Sequence, residues 1–184
     1  MVCVDVETSG LNAWGSRVIE YGAVDDADAH FECLVRQTVP VSRRITEITG
    51  ISNEMLVERG VAPEHAAREF LQFIGPSPVL LCAHNAGFDA LHIAMELRRV
   101  GLEPPVATWL DSMAAFQMTH PDAPRSRLAD MARKVLGASG FVTSHRAHDD
   151  ARVVRDCLAA LAPGGAHELY ERVEAASWPR GGVL

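Results

Sequence analysis

The chain opens on a short, nearly continuous apolar run in which Val2, Cys3, Val4 and Val6 surround Asp5, and Ser9-Gly10 ends it. A run of that length bounded by a turn signal predicts a buried strand over 2–6. Two more strands are predicted over 17–24 and 30–35, joined by the acidic turn Asp25-Asp26-Ala27-Asp28. So short a link allows only antiparallel pairing. The apolar period then lengthens. Helices are predicted over 45–48, over 52–59 with Ser52 as N-cap, and over 63–74 with proline in the first turn. Gly75-Pro76-Ser77-Pro78 breaks the chain ahead of a buried strand over 79–83. A helix over 88–100 closes at Gly101 and Pro104-Pro105, a last strand follows over 106–110, and Asp111 is placed to cap the next helix. Further helices are predicted over 127–136, over 147–161 with Pro163-Gly164-Gly165 behind it, and over 167–176 ahead of a frayed tail at Trp178. A meander followed by β-α-β units predicts an α/β fold, a mixed five-stranded sheet flanked by helices.

The length, 184 residues, supports one sizeable core. It is read as one domain over 1–165, with a C-terminal helix and tail over 166–184. Apolar residues at 48 % and charged residues at 22 % place the chain among globular proteins. No apolar run approaches the roughly 20 residues of a membrane span, and no basic segment or cleavage site follows Met1. A cytoplasmic protein with no membrane partner is therefore expected. Cys3, Cys33, Cys82 and Cys157 lie far apart without a Cys-x-x-Cys pair, so neither a disulfide framework nor a zinc ribbon is expected. They read as small buried hydrophobes in a reducing compartment. The net charge of −7 excludes a polybasic module that coats duplex nucleic acid by charge alone. It leaves room for a nuclease whose metal ions supply the positive charge locally.

Several acids stand where acids are costly. Asp5 and Glu7 are two residues apart, so a strand turns both to one face, about 6 to 7 Å apart. They are either acids at a strand end leaning into water or two oxygen ligands for a hard divalent cation. In the helix over 147–161, Asp150 falls inside the apolar stripe Ala147, Ala151, Val154, Cys157, Leu158 and Leu161, whereas Asp149 is turned about 100° away. Asp150 either caps the helix or pairs with an arginine, or it faces a ligand. Asp89 begins another helix after Asn85-Ala86-Gly87, where the helix dipole favours an anion. His84 and His145 lie shortly before Asp89 and Asp150. Strand ends and helix starts can converge on one side of such a domain, and four carboxylates brought together there stay ionised only beside cations. Two magnesium or manganese ions fit oxygen-only ligands better than zinc does.

These residues also carry a family resemblance. Asp5-Val-Glu7-Thr8-Ser9-Gly10-Leu11, His84-Asn-Ala-Gly-Phe-Asp89 and His145-Arg-Ala-His-Asp-Asp150-Ala resemble, in order and spacing, the three motifs of the DEDDh 3′–5′ exonucleases. Val18-Ile-Glu-Tyr-Gly-Ala-Val and Ile45-Thr-Glu-Ile-Thr-Gly-Ile match as well, so the resemblance spans residues 2 to 161. The chain is most similar to the proofreading epsilon-subunit-like branch of bacterial DNA polymerases.

The resemblance implies an RNase-H-like fold and hydrolysis of terminal phosphodiesters with two Mg²⁺ or Mn²⁺ ions. It implies that Asp5, Glu7 and Asp150 hold the first ion, that Asp5 bridges to the second, and that Asp89 binds or orients the ions through water. It makes His145 the general base, with His148 as a competitor; Arg146 stands where tyrosine-type relatives carry their tyrosine. Thr8 and Leu11 match positions that meet the terminal nucleotide, Leu11 as a wedge or else as core. Asn85 and Phe88 shape the same pocket, or Phe88 packs in the core. The implied partner is a single-stranded 3′ end, DNA preferred and RNA possible, with a polymerase subunit as a possible second partner. Two alternatives stand beside this: an exoribonuclease trimming RNA, and a non-catalytic interaction subunit on the same scaffold. The sequence sets no oligomeric state.

Overall fold

The computed structural model describes residues 1–123, 127–162 and 164–177. Its elements in chain order are β1 (Val2–Thr8), β2 (Val18–Asp25), β3 (His30–Leu34), α1 (Arg43–Thr49), α2 (Asn53–Glu58), α3 (Pro63–Ile74), β4 (Val79–Ala83), α4 (Ala86–Arg99), β5 (Ala107–Asp111), α5 (Ser112–Thr119), α6 (Leu128–Leu136), α7 (Ala147–Leu161) and α8 (Ala166–Ser177). The five strands form one mixed sheet in the order β3-β2-β1-β4-β5. β1–β2 and β2–β3 are antiparallel; β1–β4 and β4–β5 are parallel. This is the sheet that the hydrophobic pattern predicts.

Period-two alternation along β1 divides the core into two layers. Val2, Val4 and Val6 join Tyr21, Phe70 and Leu97 on one face, against α3 and α4. Cys3 joins Val24, Cys82, Met131, Val154 and Leu158 on the other, where α6 and α7 lie. Asp5 and Glu7 continue the Cys3 row and so face the α7 side. All four cysteines are buried and free, as small hydrophobes would be. Leu169 of α8 is fully buried in the second layer. No helix among the described residues is long and apolar enough to cross a membrane.

Element boundaries depart from the sequence reading where tertiary partners extend or trim an element. β1 runs two residues past Val6, because β2 continues alongside and pairs Glu7 with Glu20 before a bulge at Thr8. α4 starts at Ala86 rather than at 88: Asn85 adopts a left-handed φ of 70°, and the chain turns helical directly after it. α1 begins at Arg43 because the Ser42 side chain accepts the Ile45 N–H, and it ends at Gly50 with φ of 71°. The Ser52 cap of α2 and the Asp111 cap of α5 are present as expected, accepting the N–H groups of Met55 and Met113. β3 ends at Leu34, and β5 is shifted by one residue to Ala107–Asp111. The Trp178 tail and the Pro163 stop lie outside the described residues.

The two flanks of β1 differ in how closely their neighbours approach. β1 pairs with β4 only at Val2–Leu81 and Cys3–Cys82, and beyond that the two strands part. On the other side of β1, the start of α7 lies directly on β2 at Gly22. A Cβ there would sit 2.1 Å from the Ala147 carbonyl carbon and 2.1 Å from the His148 nitrogen. Backbone cannot give way as a flexible side chain can, so Gly22→Ala is expected to lower stability by about 1–3 kcal/mol or more in urea unfolding. Gly15→Ala, where a Cβ meets nothing within 4 Å, should stay within about 0.5 kcal/mol. Equal stability of the two variants would show that α7 does not depend on this contact.

Candidate active site

Each sequence-predicted acid is delivered by a regular element. Asp5 and Glu7 come from β1, opposite Gly22 and Glu20 of β2. Asp89 comes from the first turn of α4 and is 2 % exposed. Its Oδ1 accepts the Val6 N–H at 3.1 Å, satisfying a β1 donor where β4 has diverged. Asp150 comes from the first turn of α7, 6 % exposed, with Oδ1 buried and unpartnered. His145 precedes α7 in an irregular segment, exposed, with a left-handed φ of 51°. Its Nε2 lies 3.3 Å from Thr143 Oγ1.

The fold brings Glu7, His145 and Asp150 together: one ligand atom from each lies within 4.8 Å of the others. Asp5 borders the same cleft as His145 and Asp150, an opening of about 730 Å³. Asp89 lies behind Asp5 and Glu7, joined to them through the Val6 backbone. Among the remaining predicted residues, Asn85 borders the cleft, and its N–H donates to Asp111 Oδ1 at 3.1 Å. Thr8 is buried, and its hydroxyl donates to the Gly10 carbonyl at 2.7 Å, fastening the loop after β1. Leu11, on that loop, is 89 % exposed and is not core. Phe88 is half-buried, packs at the edge of the first core layer and meets the His92 ring at a tilt of 40°, centroids 4.1 Å apart. His148 turns to Glu32, Asp149 and the His30 ring instead of bordering the cleft.

Crowding of carboxyls shows in their protonation. Burial, then the nearby Asp150 and Glu20, push Asp5 up to about 8. Burial, then Asp5, push Glu7 up to about 9, with Arg146 acting weakly the other way. Burial, then Asp149, push Asp150 up to about 7. Asp89 is also raised, by burial and then Asp5, with the Val6 N–H opposing. Left to themselves, these groups favour the neutral form.

Two residues that hold the site together are not distinguished by sequence reasoning. Glu20 has no exposed surface, yet it sits mid-strand. The Arg146 guanidinium donates to it at 3.0 Å from Nε and 2.6 Å from Nη2, and Glu20 Oε2 accepts the Ala147 N–H at 2.9 Å. Glu20 thus caps α7 from the sheet; Arg146 also pairs with Glu32. The available signal is a lone carboxylate inside an apolar strand, Val18-Ile-Glu-Tyr-Gly-Ala-Val.

An exonuclease family model, RNase_T, matches residues 2–157. The PolC-type DNA polymerase III of Thermotoga petrophila is 36 % identical over 160 residues, which cover 83 % of this chain and 11 % of that one. The chain therefore spans about one tenth of the PolC-type relatives it matches. The DNA polymerase III epsilon subunit of Treponema pallidum is 31 % identical over 163 residues, covering 85 % of this chain and 74 % of that one. The nuclease domain of 3′hExo, a DEDDh member bound to rAMP, superimposes with a TM-score of 0.73 at 16 % identity, covering 89 % of this chain and 92 % of that one. Exonuclease X in complex with 5′-overhanging duplex DNA gives 0.66 at 22 %, covering 94 % and 98 %.

The site's electrostatics set the pH dependence of stability. Unfolded carboxyls titrate near 4, so a folded protein that holds these protons longer gains stability below that range. The gain is lost as pH rises through the folded values of about 7 to 9. In chelator, the urea midpoint should therefore fall from pH 5 to pH 9; a rise over that window would contradict the crowding. Separately, Glu20→Ala leaves Arg146 and the Ala147 N–H without their shared acceptor and should cost about 3–5 kcal/mol. Differential scanning calorimetry measures it, and a cost under about 1 kcal/mol would remove Glu20 from this role.

Proposed function

The chain belongs to the RNase_T exonuclease family, and from that premise we propose that it is a metal-dependent 3′–5′ exonuclease. Its substrates are single-stranded or frayed DNA ends, from which it releases nucleoside 5′-monophosphates. The observation that carries this reading is the convergence of Glu7, His145 and Asp150 within 4.8 Å beside Asp5 in one cleft. The DNA polymerase III identity of the relatives favours DNA over RNA, and makes a polymerase a plausible companion. The exonuclease unit is taken as 1–165, with the helix and tail over 166–184 appended.

The donor set fits the metal. Asp150 Oδ1 is buried without a hydrogen-bond partner, and the carboxyls around it are pushed toward neutrality unless cations offset them. Carboxylate oxygens with little nitrogen and no sulfur suit Mg²⁺ or Mn²⁺. Asp5, Glu7 and Asp150 would hold one ion, and Asp5 with Asp89, through water, the second. Bound there, the ions supply charge neutralisation and polarisation at the scissile phosphate.

The remaining steps belong to the chain's own residues. His145 accepts a proton from the attacking water at a ring nitrogen, a role open to an exposed imidazole beside the acids. The water oxygen bonds to phosphorus, the P–O3′ bond breaks, and the departing O3′ takes up a proton from solvent, so that the shortened strand keeps a 3′-hydroxyl. Thr8, the last residue of β1, and Leu11, on the loop after it, together with Asn85 and Phe88, receive the terminal nucleotide. Contacts of this kind to sugar, phosphate and a base face carry little sequence information, so broad base tolerance is expected.

Four measurements test this. EDTA and Asp150→Ala should each abolish mononucleotide release from a 5′-labelled single strand, whereas Asp149→Ala, on the exposed side, should keep most of it. Full activity of Asp150→Ala would sink the assignment. A 5′-label should give a descending ladder and a 3′-label an immediate mononucleotide; the reverse pattern overturns the polarity. Faster loss of a matched RNA strand would move the substrate to RNA. Independently of turnover, Mn²⁺ at pH 8 should raise the thermal midpoint of the wild type and not of Asp5→Asn.

A further inference from the structure

The cleft is chemically mixed. Beside Asp5, Asp150 and His145 it is lined by the start of α6, with Arg127, Asp130 and Arg133. Asp130 and Arg133 are three residues apart on the helix, and Arg127 is its extended N-cap residue. The two arginines differ in their partners. Arg133 Nη1 donates to Asp130 at 2.7 Å and its Nε donates to the Phe141 carbonyl, so that pair is self-neutralised and anchored to the loop that leads to His145. Arg127 is exposed and has no ion pair among the described residues. A guanidinium with no ion pair among the described residues therefore lines the cleft that holds Asp5 and Asp150, in a protein of net charge −7.

We infer that the start of α6 is the track for the strand upstream of the scissile bond, with Arg127 binding a phosphodiester on the 5′ side. The inference rests on the exonuclease reading and adds a direction to it: the 3′ end enters at Asp5, Asp150 and His145, and the chain leaves past Arg127. A planar guanidinium with five donors and no acceptor among the described residues is matched to a phosphate. The neighbouring Asp130 carboxylate, which would repel one, is held by Arg133. Arg127 is thus a binding residue for longer substrates, remote from the acids that surround the reacting phosphate.

The test compares wild type, Arg127→Ala, Arg127→Lys and the exposed control Arg44→Ala on two probes with Mn²⁺. The probes are an octathymidylate and the p-nitrophenyl ester of thymidine 5′-monophosphate, which has no upstream phosphate. Arg127→Ala should raise KM for the octamer about 5-fold, with kcat within about 2-fold. It should also flatten the dependence of log KM on log salt by about 0.7, the single-strand value for one phosphate contact. Arg127→Lys should recover part of the KM, Arg44→Ala should match wild type, and the KM penalty should shrink on the ester. An octamer KM and salt slope equal to wild type would overturn the track, as would a penalty equally large on the ester. If wild type leaves both probes intact with metal present, the exonuclease reading fails instead, and the track with it.

Discussion

A carboxylate with no exposed surface joins the sheet to the helix on which the site depends. Glu20, in the middle of β2, accepts hydrogen bonds from the Arg146 guanidinium and from the Ala147 N–H. Removing a charge from water is tolerable only where its lone pairs are filled and an opposite charge is near. Here both conditions are met by residues on the threshold of α7. The first residues of α7 are thereby drawn onto β2, close enough that position 22 must lack a side chain. Asp150 lies one turn into α7, and His145 precedes its first residue by two. The geometry of both is therefore inherited from a contact that is itself no part of the reaction.

The same region stores electrostatic tension. Asp5, Glu7 and Asp150 are each raised far above ordinary carboxyl values because burial and one another disfavour their charge. Glu20 adds to that field, but its own charge is matched by Arg146. A core built only for stability would not gather these acids. Together with Asp89 they are nevertheless gathered from three elements, β1, α4 and α7, and Asp150 Oδ1 has no partner among the described residues, a pattern that marks a candidate functional site. Asp89 shows how the cost is contained: the divergence of β4 from β1 exposes the Val6 N–H, and the Asp89 carboxylate uses it.

How much is legible in the sequence depends on the range of the interaction. Strand order in the meander, the caps at Ser52 and Asp111, and the facing of Asp5 and Glu7 are set by neighbours a few residues apart. Asp150 is readable because a helical apolar stripe makes an intruding acid visible. Asp89 is readable only as a helix-start acid, since its partner Val6 is 83 residues away. Glu20 escapes recognition as a support for the opposite reason to Asp150. A single acid in an apolar strand has no periodic meaning, and the arginine that explains it lies 126 residues along the chain. His145 sits in a segment with neither period, so only its motif marks it. The two-residue extension of β1 is likewise a tertiary effect, imposed by pairing with β2.

The acids and His145 differ in how they are held. β1, α4 and α7 bury their apolar faces in two layers, which fixes the acids they carry. His145 is exposed and extends from an irregular stretch, and its neighbours Ala147 and Asp150 are fixed by the Glu20 cap and the core. Its left-handed φ is uncommon for a residue with a side chain. Such a conformation persists only where the flanking structure over-determines it. On the downstream side that constraint is the start of α7, tied by Ala147 to Glu20; on the upstream side it is the Phe141 carbonyl, held by Arg133 of α6. An exposed histidine and an immobile acid cluster are therefore compatible, because the stretch from Phe141 to Ala147 is fastened at both ends and open only in the middle.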